Sequence, residues 1–210
     1  MARTRIGPYP ACPPACRDAD PRAPIAARRV ARLITDRLPT VTVEHIGSTA
    51  VPACAGKGIV DLMVLYPEGE LEAVKEVLAS LGFQRQTRGH LHPESRPMRV
   101  GAIAVAGRTF ALHVHVLSER SEEVFRLRAF RDRLRADPGL RAAYVARKQE
   151  ILARGVTDPA AYTAIKSAFV EAALADTGCR SPARCGEEIR TETPSSTPRS
   201  NPSPSPTTCV

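Results

Sequence analysis

Residues 41–65, VTVEHIGSTAVPACAGKGIVDLMVL, constrain the fold of this chain more than any other stretch. Two apolar, β-branched runs, 41–46 and 59–65, read as strands. Between them stand Gly47-Ser48 and a loop carrying Pro52, Gly56, Lys57 and Gly58. A glycine beside a serine lets backbone N–H groups approach a phosphoryl oxygen without a Cβ in the way. The second run holds one carboxylate, Asp61. A carboxylate inside a buried strand is costly unless a positive or hydrogen-bonding group meets it. The order strand, Gly-Ser turn, lysine-bearing loop, acid-bearing strand therefore predicts a site for a phosphate, with or without a metal ion.

The rest of the chain supplies what such a unit would pack against. Residues 1–23 are rich in Pro, Arg and Ala without periodicity and read as a flexible N-terminal arm. From Pro24, Ile25, Val30, Leu33, Ile34 and Leu38 share one helical face, and Pro39 is expected to end that helix. A turn at 66–69 leads to a helix over 70–81, with Gly82 as its left-handed cap. Residues 83–86 read as a short strand and 87–99, which contain His90 and His92, as a polar loop. Two more β-branched runs, 100–105 and 109–117, flank Ala106-Gly107 as a hairpin. Ser121, Asp137-Pro138 and Asp158-Pro159 are helix-start signals, giving three C-terminal helices up to about residue 176. Beyond that, residues 177–210 are Ser/Thr/Pro-rich with hardly a bulky apolar side chain, and are expected to be a disordered tail. The expected fold is thus α+β, a small mixed sheet of four to five strands packed by helices, as one domain over residues 24–176.

Charge and cysteine usage narrow the function classes. A formal net charge of +8 suits an anionic partner such as a nucleotide. The arginines are spread along the whole chain, so nucleic acid has no support beyond charge. Lysine is more informative, because it occurs only at positions 57, 75, 148 and 166. The six cysteines show no CxxC pair, which argues against a zinc ribbon, and Cys54 in the central loop reads as an inert thiol. No apolar run reaches the ~18 residues of a membrane span, and the first residues lack a secretory apolar core. A cytoplasmic location and no membrane partner are the expectations.

The candidate site residues each have a functional and a plain reading. Gly47 and Ser48 bind phosphate or simply close the turn. Lys57 and Lys166 contact an anion or stand in solvent. Asp61 acts as a metal ligand and catalytic acid or base, or is satisfied by a neighbouring side chain. His113 and His115 alternate with Leu112, Val114 and Val116, so both stand on one strand face. That spacing suits metal ligands and equally an ordinary hydrogen-bonded face. His45, just before the turn, orients the loop or protonates a phosphate.

Together, His45-Ile46-Gly47-Ser48-Thr49-Ala50-Val51-Pro52, Lys57 and Ile59-Val60-Asp61 resemble the signature of the GrpB-like family. His113-Val114-His115-Val116, the run FRDRLRADPGLRAAYVARKQEI (130–151) and Ala161-Tyr162-Thr163-Ala164-Ile165-Lys166 are similar to further motifs of that family, in the same order. The resemblance implies a nucleotidyltransferase-like fold and transfer of a nucleotidyl group from a nucleoside triphosphate to an unknown acceptor. It also implies nucleotide binding at Gly47, Ser48, Lys57 and Lys166, catalytic roles for Asp61 and His45, and a divalent ion (Mg, Mn or Zn) on Asp61, His113 and His115. Ala53 stands where the family usually has Gly, and Gly58 where it usually has Pro. In nucleotidyltransferases an acid-x-acid pair holds the metals, and here Met63 takes the second acid's place. The alternative is therefore a catalytically degenerate module that binds a nucleotide or another phosphorylated small molecule.

Overall fold

The computed structural model describes residues 5–10, 12–13, 15–87, 91–156 and 158–175. The expected tail at 177–210 and His90 lie outside the described residues. The strands are β1 (Thr42–Ile46), β2 (Val60–Tyr66), β3 (Gln84–Arg85), β4 (Met98–Val105) and β5 (Arg108–Ser118). They form a single five-stranded mixed sheet in the order β1-β2-β5-β4-β3. β2 and β5 run parallel, and every other neighbouring pair is antiparallel.

The helices are α1 (Ala23–Thr35), α2 (Leu71–Ser80), α3 (Glu122–Ala136), α4 (Pro138–Ala153) and α5 (Pro159–Ala175). α1 stops at Thr35, four residues before Pro39, and the chain turns down so that Leu38 is buried from the turn rather than from the helix. The later helix starts follow their capping chemistry. The Ser121 side chain accepts from Glu123 N, Asp137 from Leu140 N at 2.9 Å, and Asp158 from Ala161 N at 2.7 Å. None of the described helices is long and apolar enough to cross a membrane.

The pleat divides the sheet into two faces. On one, Val60, Leu62, Val64, Leu112, Val114 and Val116 join α1 and α2 in the main core. On the other, Ile46, Met63, Leu65 and Leu117 pack against Val124 of α3. A third cluster ties the loop after β1 to the C-terminal helices, through Val51, Cys54, Leu134 and Tyr144, with Phe130 and Phe169 against them.

The segment read as a loose arm is laid against this body. Ile6 is buried in the main core, and Gly7 exchanges backbone hydrogen bonds with Ala102 of β4 at 2.9 and 3.0 Å. Arg17 does the same with Gly56 at 2.8 and 2.9 Å. Asp20 then accepts from Arg22 and from Arg108 at the base of β5. Backbone pairing and a half-buried ion pair, neither with any periodic signature, make the described residues between 5 and 22 a strap over the sheet.

Candidate functional site

The Gly47-Ser48 turn and Asp61 meet, as their sequence order suggests. β1 pairs antiparallel with β2 so that Ile46 faces Asp61, and the chain must turn at once over the carboxylate. Gly47 does this with φ 71° and ψ −173°, a region open essentially to glycine alone. A Cβ on Gly47 would lie 2.4 Å from Asp61 Oδ2. Residues Ser48–Ala50 then form a short 3-10 turn, which the sequence did not announce. Arg135 of α3 holds that turn through two hydrogen bonds to Ala50 O, at 3.1 and 2.9 Å, and Arg131 donates to His45 O at 3.3 Å. Further along the loop, Gly58 has φ 77°, which a proline could not adopt.

The parallel register of β2 with β5 sets Asp61 beside His113. His113 Nδ1 lies 3.2 Å from Asp61 Oδ1. On its far side, His113 Nε2 is 2.8 Å from the Tyr9 hydroxyl, and the two rings stack with centroids 5.5 Å apart. Burial pushes the Asp61 carboxyl up, but the His113 hydrogen bond and the nearby His113, His115 and Lys166 charges outweigh it and hold the carboxyl below its usual range. Tyr9 lies in the N-terminal strap and was not anticipated from the sequence.

Three of the chain's lysines gather around the same loop. Lys57 Nζ lies 4.1 Å above the Tyr162 ring, and the buried Tyr162 hydroxyl has no hydrogen-bond partner among the described residues. Lys166 of α5 feels the Asp61 charge, and in turn lowers Lys57 and Lys148. Lys148 of α4 is 3% exposed, donates to Ala55 O, and sits 4.3 Å over Tyr144. Burial is the first cause pushing all three ammonium groups down. Among the described residues none of the three has a carboxylate within ion-pair distance, whereas Lys75, the fourth lysine, pairs with Glu72 and Glu94. Ser48 Oγ completes this rim, packed against the Gly56 backbone where a Cβ would be 2.6 Å away. Lys148 escaped the sequence reading because a lysine among Arg147, Gln149 and Glu150 looks like a solvated helix face. Its one signal is position, four residues after Tyr144 on the same helical stripe.

Two expected participants stand elsewhere. His45 pairs with Leu62, one residue out of step with Asp61, so alternation puts it on the opposite face of the sheet. There it lines a cleft of about 620 Å³ with Val43, Leu62, Arg28 and Arg135. Its Nε2 lies 3.0 Å from Thr49 Oγ1, which donates to Ile59 O, so the ring braces the turn. His115 lies one pleat beyond His113, opposite Met63, with its Nδ1 buried and unpartnered and its ring edge-on to His92. Among the described residues no three His, Cys, Asp or Glu side chains converge as a metal ion would need. Both nitrogens of His113 are engaged, and the place of a second acid is filled by fully buried Met63. The set Asp61, His113 and His115 therefore does not fit a resident metal. Cys54 is buried, and burial pushes its thiol up, away from a reactive thiolate.

Comparison with known proteins places this geometry. A UPF0157 protein of Streptomyces coelicolor is 35% identical over 152 residues, covering 71% of this chain and 76% of its own. A UPF0157 protein of Pseudomonas aeruginosa is 33% identical over 156 residues, covering 72% of this chain but only 62% of its own length. The crystal structure of conserved protein GrpB from Enterococcus faecalis superposes with a TM-score of 0.59 at 25% identity, over 77% of this chain and 98% of that one. The Cid1 poly(U) polymerase, crystallised with MgATP, superposes with a TM-score of 0.51 at 15% identity, over 71% of this chain and 50% of that one. That likeness makes the fold nucleotidyltransferase-like. The family described as GrpB protein matches residues 13–176, and with relatives of this identity and coverage the chain belongs to the GrpB family.

Proposed function

We propose that the site binds a nucleoside triphosphate and transfers its nucleotidyl group to an acceptor hydroxyl. The observation that carries this reading is the gathering of Lys57, Lys148 and Lys166, without carboxylate partners, around the turn that closes on Asp61. Ammonium groups held in place in partly dry surroundings stabilise the charge that grows on a departing pyrophosphate. The unpartnered Tyr162 hydroxyl and Ser48 Oγ add neutral donors for phosphate oxygens. Asp61 orients His113, whose outer nitrogen serves as the proton acceptor. A divalent cation arriving with the triphosphate is part of the substrate in this reading. The Cid1 polymerase crystallised with MgATP lends the fold precedent.

One observation favours a binding module without transfer chemistry: Met63, in the position of a second acid, is fully buried among apolar side chains. Thermal shift with each nucleoside triphosphate, with and without Mg²⁺, Mn²⁺ and Zn²⁺, separates the readings. Both readings predict a rise in melting temperature that falls away in Lys166→Ala, and transfer adds the release of pyrophosphate when an acceptor is present. A shift that needs no metal and survives Asp61→Ala would favour the binding module, and no shift with any triphosphate would sink both.

A further inference from the structure

The strap brings a nucleophile to the base. The Tyr9 hydroxyl is 2.8 Å from His113 Nε2, and His113 Nδ1 is 3.2 Å from Asp61 Oδ1. Hydroxyl, imidazole and carboxylate in series are the order nucleophile, base and orienter. The carboxylate fixes Nδ1 as the protonated nitrogen, leaving Nε2 to accept from the phenol. The stacked rings hold the hydroxyl in register. The strap is tied on both sides of Tyr9, by Gly7 to Ala102 and by Arg17 to Gly56. The second tie sets it alongside the Lys57 loop, and the Cys12 thiol lies close enough to both Tyr9 and Lys57 for each to act on its proton. Tyr9 is thus held between the general base and the anion-binding rim, in a segment that secondary-structure packing alone does not require.

We propose that Tyr9 is itself a nucleotidyl acceptor, so that the chain modifies its own strap. This inference rests on the nucleotidyl-transfer reading and names the acceptor it leaves open. Tyr9 Oη forms a bond to the α-phosphorus of a bound nucleoside triphosphate, and its proton passes to His113 Nε2. The bond between the α-phosphorus and the oxygen bridging to the β-phosphate breaks, and pyrophosphate leaves with the electron pair. The product is a tyrosyl ester of a nucleoside monophosphate. Burial first, then Cys12 and Asp61, push the Tyr9 phenol well above its ordinary range, so the oxygen keeps its proton and needs a base to attack. Proximity supplies the rest, because the hydroxyl and the base are already in contact.

The experiment uses the full chain incubated with each common ribonucleoside triphosphate and Mg²⁺, read by intact mass, peptide mapping and pyrophosphate release. The expected result is a gain of one nucleoside monophosphate on the peptide that contains Tyr9, matched by released pyrophosphate. Tyr9→Phe keeps the ring stack and abolishes the adduct. His113→Gln slows its formation by about 10²-fold or more without moving it to another residue. A triphosphate thermal shift with an unmodified Tyr9 peptide overturns the inference and leaves triphosphate binding standing. An adduct that persists in Tyr9→Phe overturns it equally. Absence of both shift and adduct brings down the transfer reading, and this inference with it.

Discussion

Gly47→Ala is the most direct probe of the turn over Asp61. With φ 71° and ψ −173°, the backbone cost of any side chain here is about 1–3 kcal/mol. A steric cost adds to it, because the new Cβ would lie 2.4 Å from Asp61 Oδ2 and 3.1 Å from Asp61 Cβ. Relief requires the carboxylate to swing off the Gly47 side, which strains its 3.2 Å contact with His113. Overpacking of this kind costs about 1–3 kcal/mol. The sum, about 2–6 kcal/mol, corresponds to roughly 4–24 °C of melting temperature for a domain of this size. Gly69→Ala is the matched control, since Gly69 has φ 87° and nothing within 4 Å of its would-be Cβ. It should show a backbone cost without a contact cost. Adding Asp61→Ala to Gly47→Ala removes the 2.4 Å clash and leaves the 3.1 Å contact, so the two substitutions should couple by about 1–2 kcal/mol in the compensating direction. Scanning calorimetry of the wild type, the three single variants and the double variant measures every quantity. If Gly47→Ala melts no lower than Gly69→Ala, or shows no coupling to Asp61→Ala, the turn does not sit on the carboxylate and the site as described is wrong.

Burial, ahead of any neighbouring charge, pushes His45 down to about 4 and His115 down to about 3. Both folded values lie below the unfolded one, so the unfolded chain binds more protons in acid. Stability is then full above pH about 6.5 and falls as pH drops, by up to about 3 kcal/mol for His45 before levelling near pH 4; urea midpoints against pH should show this, with His45→Gln flattening the upper part. Arg135→Ala leaves the Ala50 carbonyl without its two donors and should cost about 1–3 kcal/mol in urea unfolding at an unchanged m-value. Lys57→Ala and Lys166→Ala should each weaken tripolyphosphate binding by about 10- to 100-fold in titration calorimetry, less at high salt, whereas Lys75→Ala should leave it unchanged. Met63→Asp should lower the melting temperature by at least 5 °C or so rather than create a metal site, as circular dichroism with and without Mn²⁺ would show.

Local rules made most of the elements readable. Capping side chains at Ser121, Asp137 and Asp158 fix where helices begin, and that chemistry acts over three residues. Ala106 and Gly107, with φ of 47° and 77°, close the hairpin as their sequence suggested. Asp61 and His113 could be singled out as polar residues in apolar strands, yet their contact depends on the register of β2 against β5, a pairing between segments far apart in the sequence. His45 shows the reverse hazard. Motif adjacency to Gly47 suggested a site role, while a one-residue pleat step turned the ring to the other face. Tyr9 and Lys148 were illegible for different reasons. The strap that carries Tyr9 is held by backbone bonds to Ala102 and Gly56, which leave no trace in side-chain pattern. Lys148 is buried only because α3, α4 and α5 close over residues 51–54, a tertiary event that propensity does not see.

Met63 decides what kind of site this is. It packs with Ile46, Leu65, Leu117 and Val124 where α3 meets the sheet, and none of its surface is exposed. A carboxylate at that position would lose its water and gain mainly apolar neighbours, along with a His115 whose charged form burial disfavours. The docking of α3 and a second acid on this face are therefore mutually exclusive. α3 is also the helix whose Arg131 and Arg135 hold the two ends of the turn, at His45 O and Ala50 O. The buried Met63 thus accompanies a turn clamped from above, and in the proposed reading Lys57, Lys148 and Lys166 balance the negative charge of a triphosphate. Those ammonium groups repel one another, with Asp61 the nearby carboxylate among the described residues, so their arrangement is less favourable when empty than around a polyanion. In the proposed reading such a site favours a bound polyanion, and His113, oriented by Asp61, is the group that handles the proton.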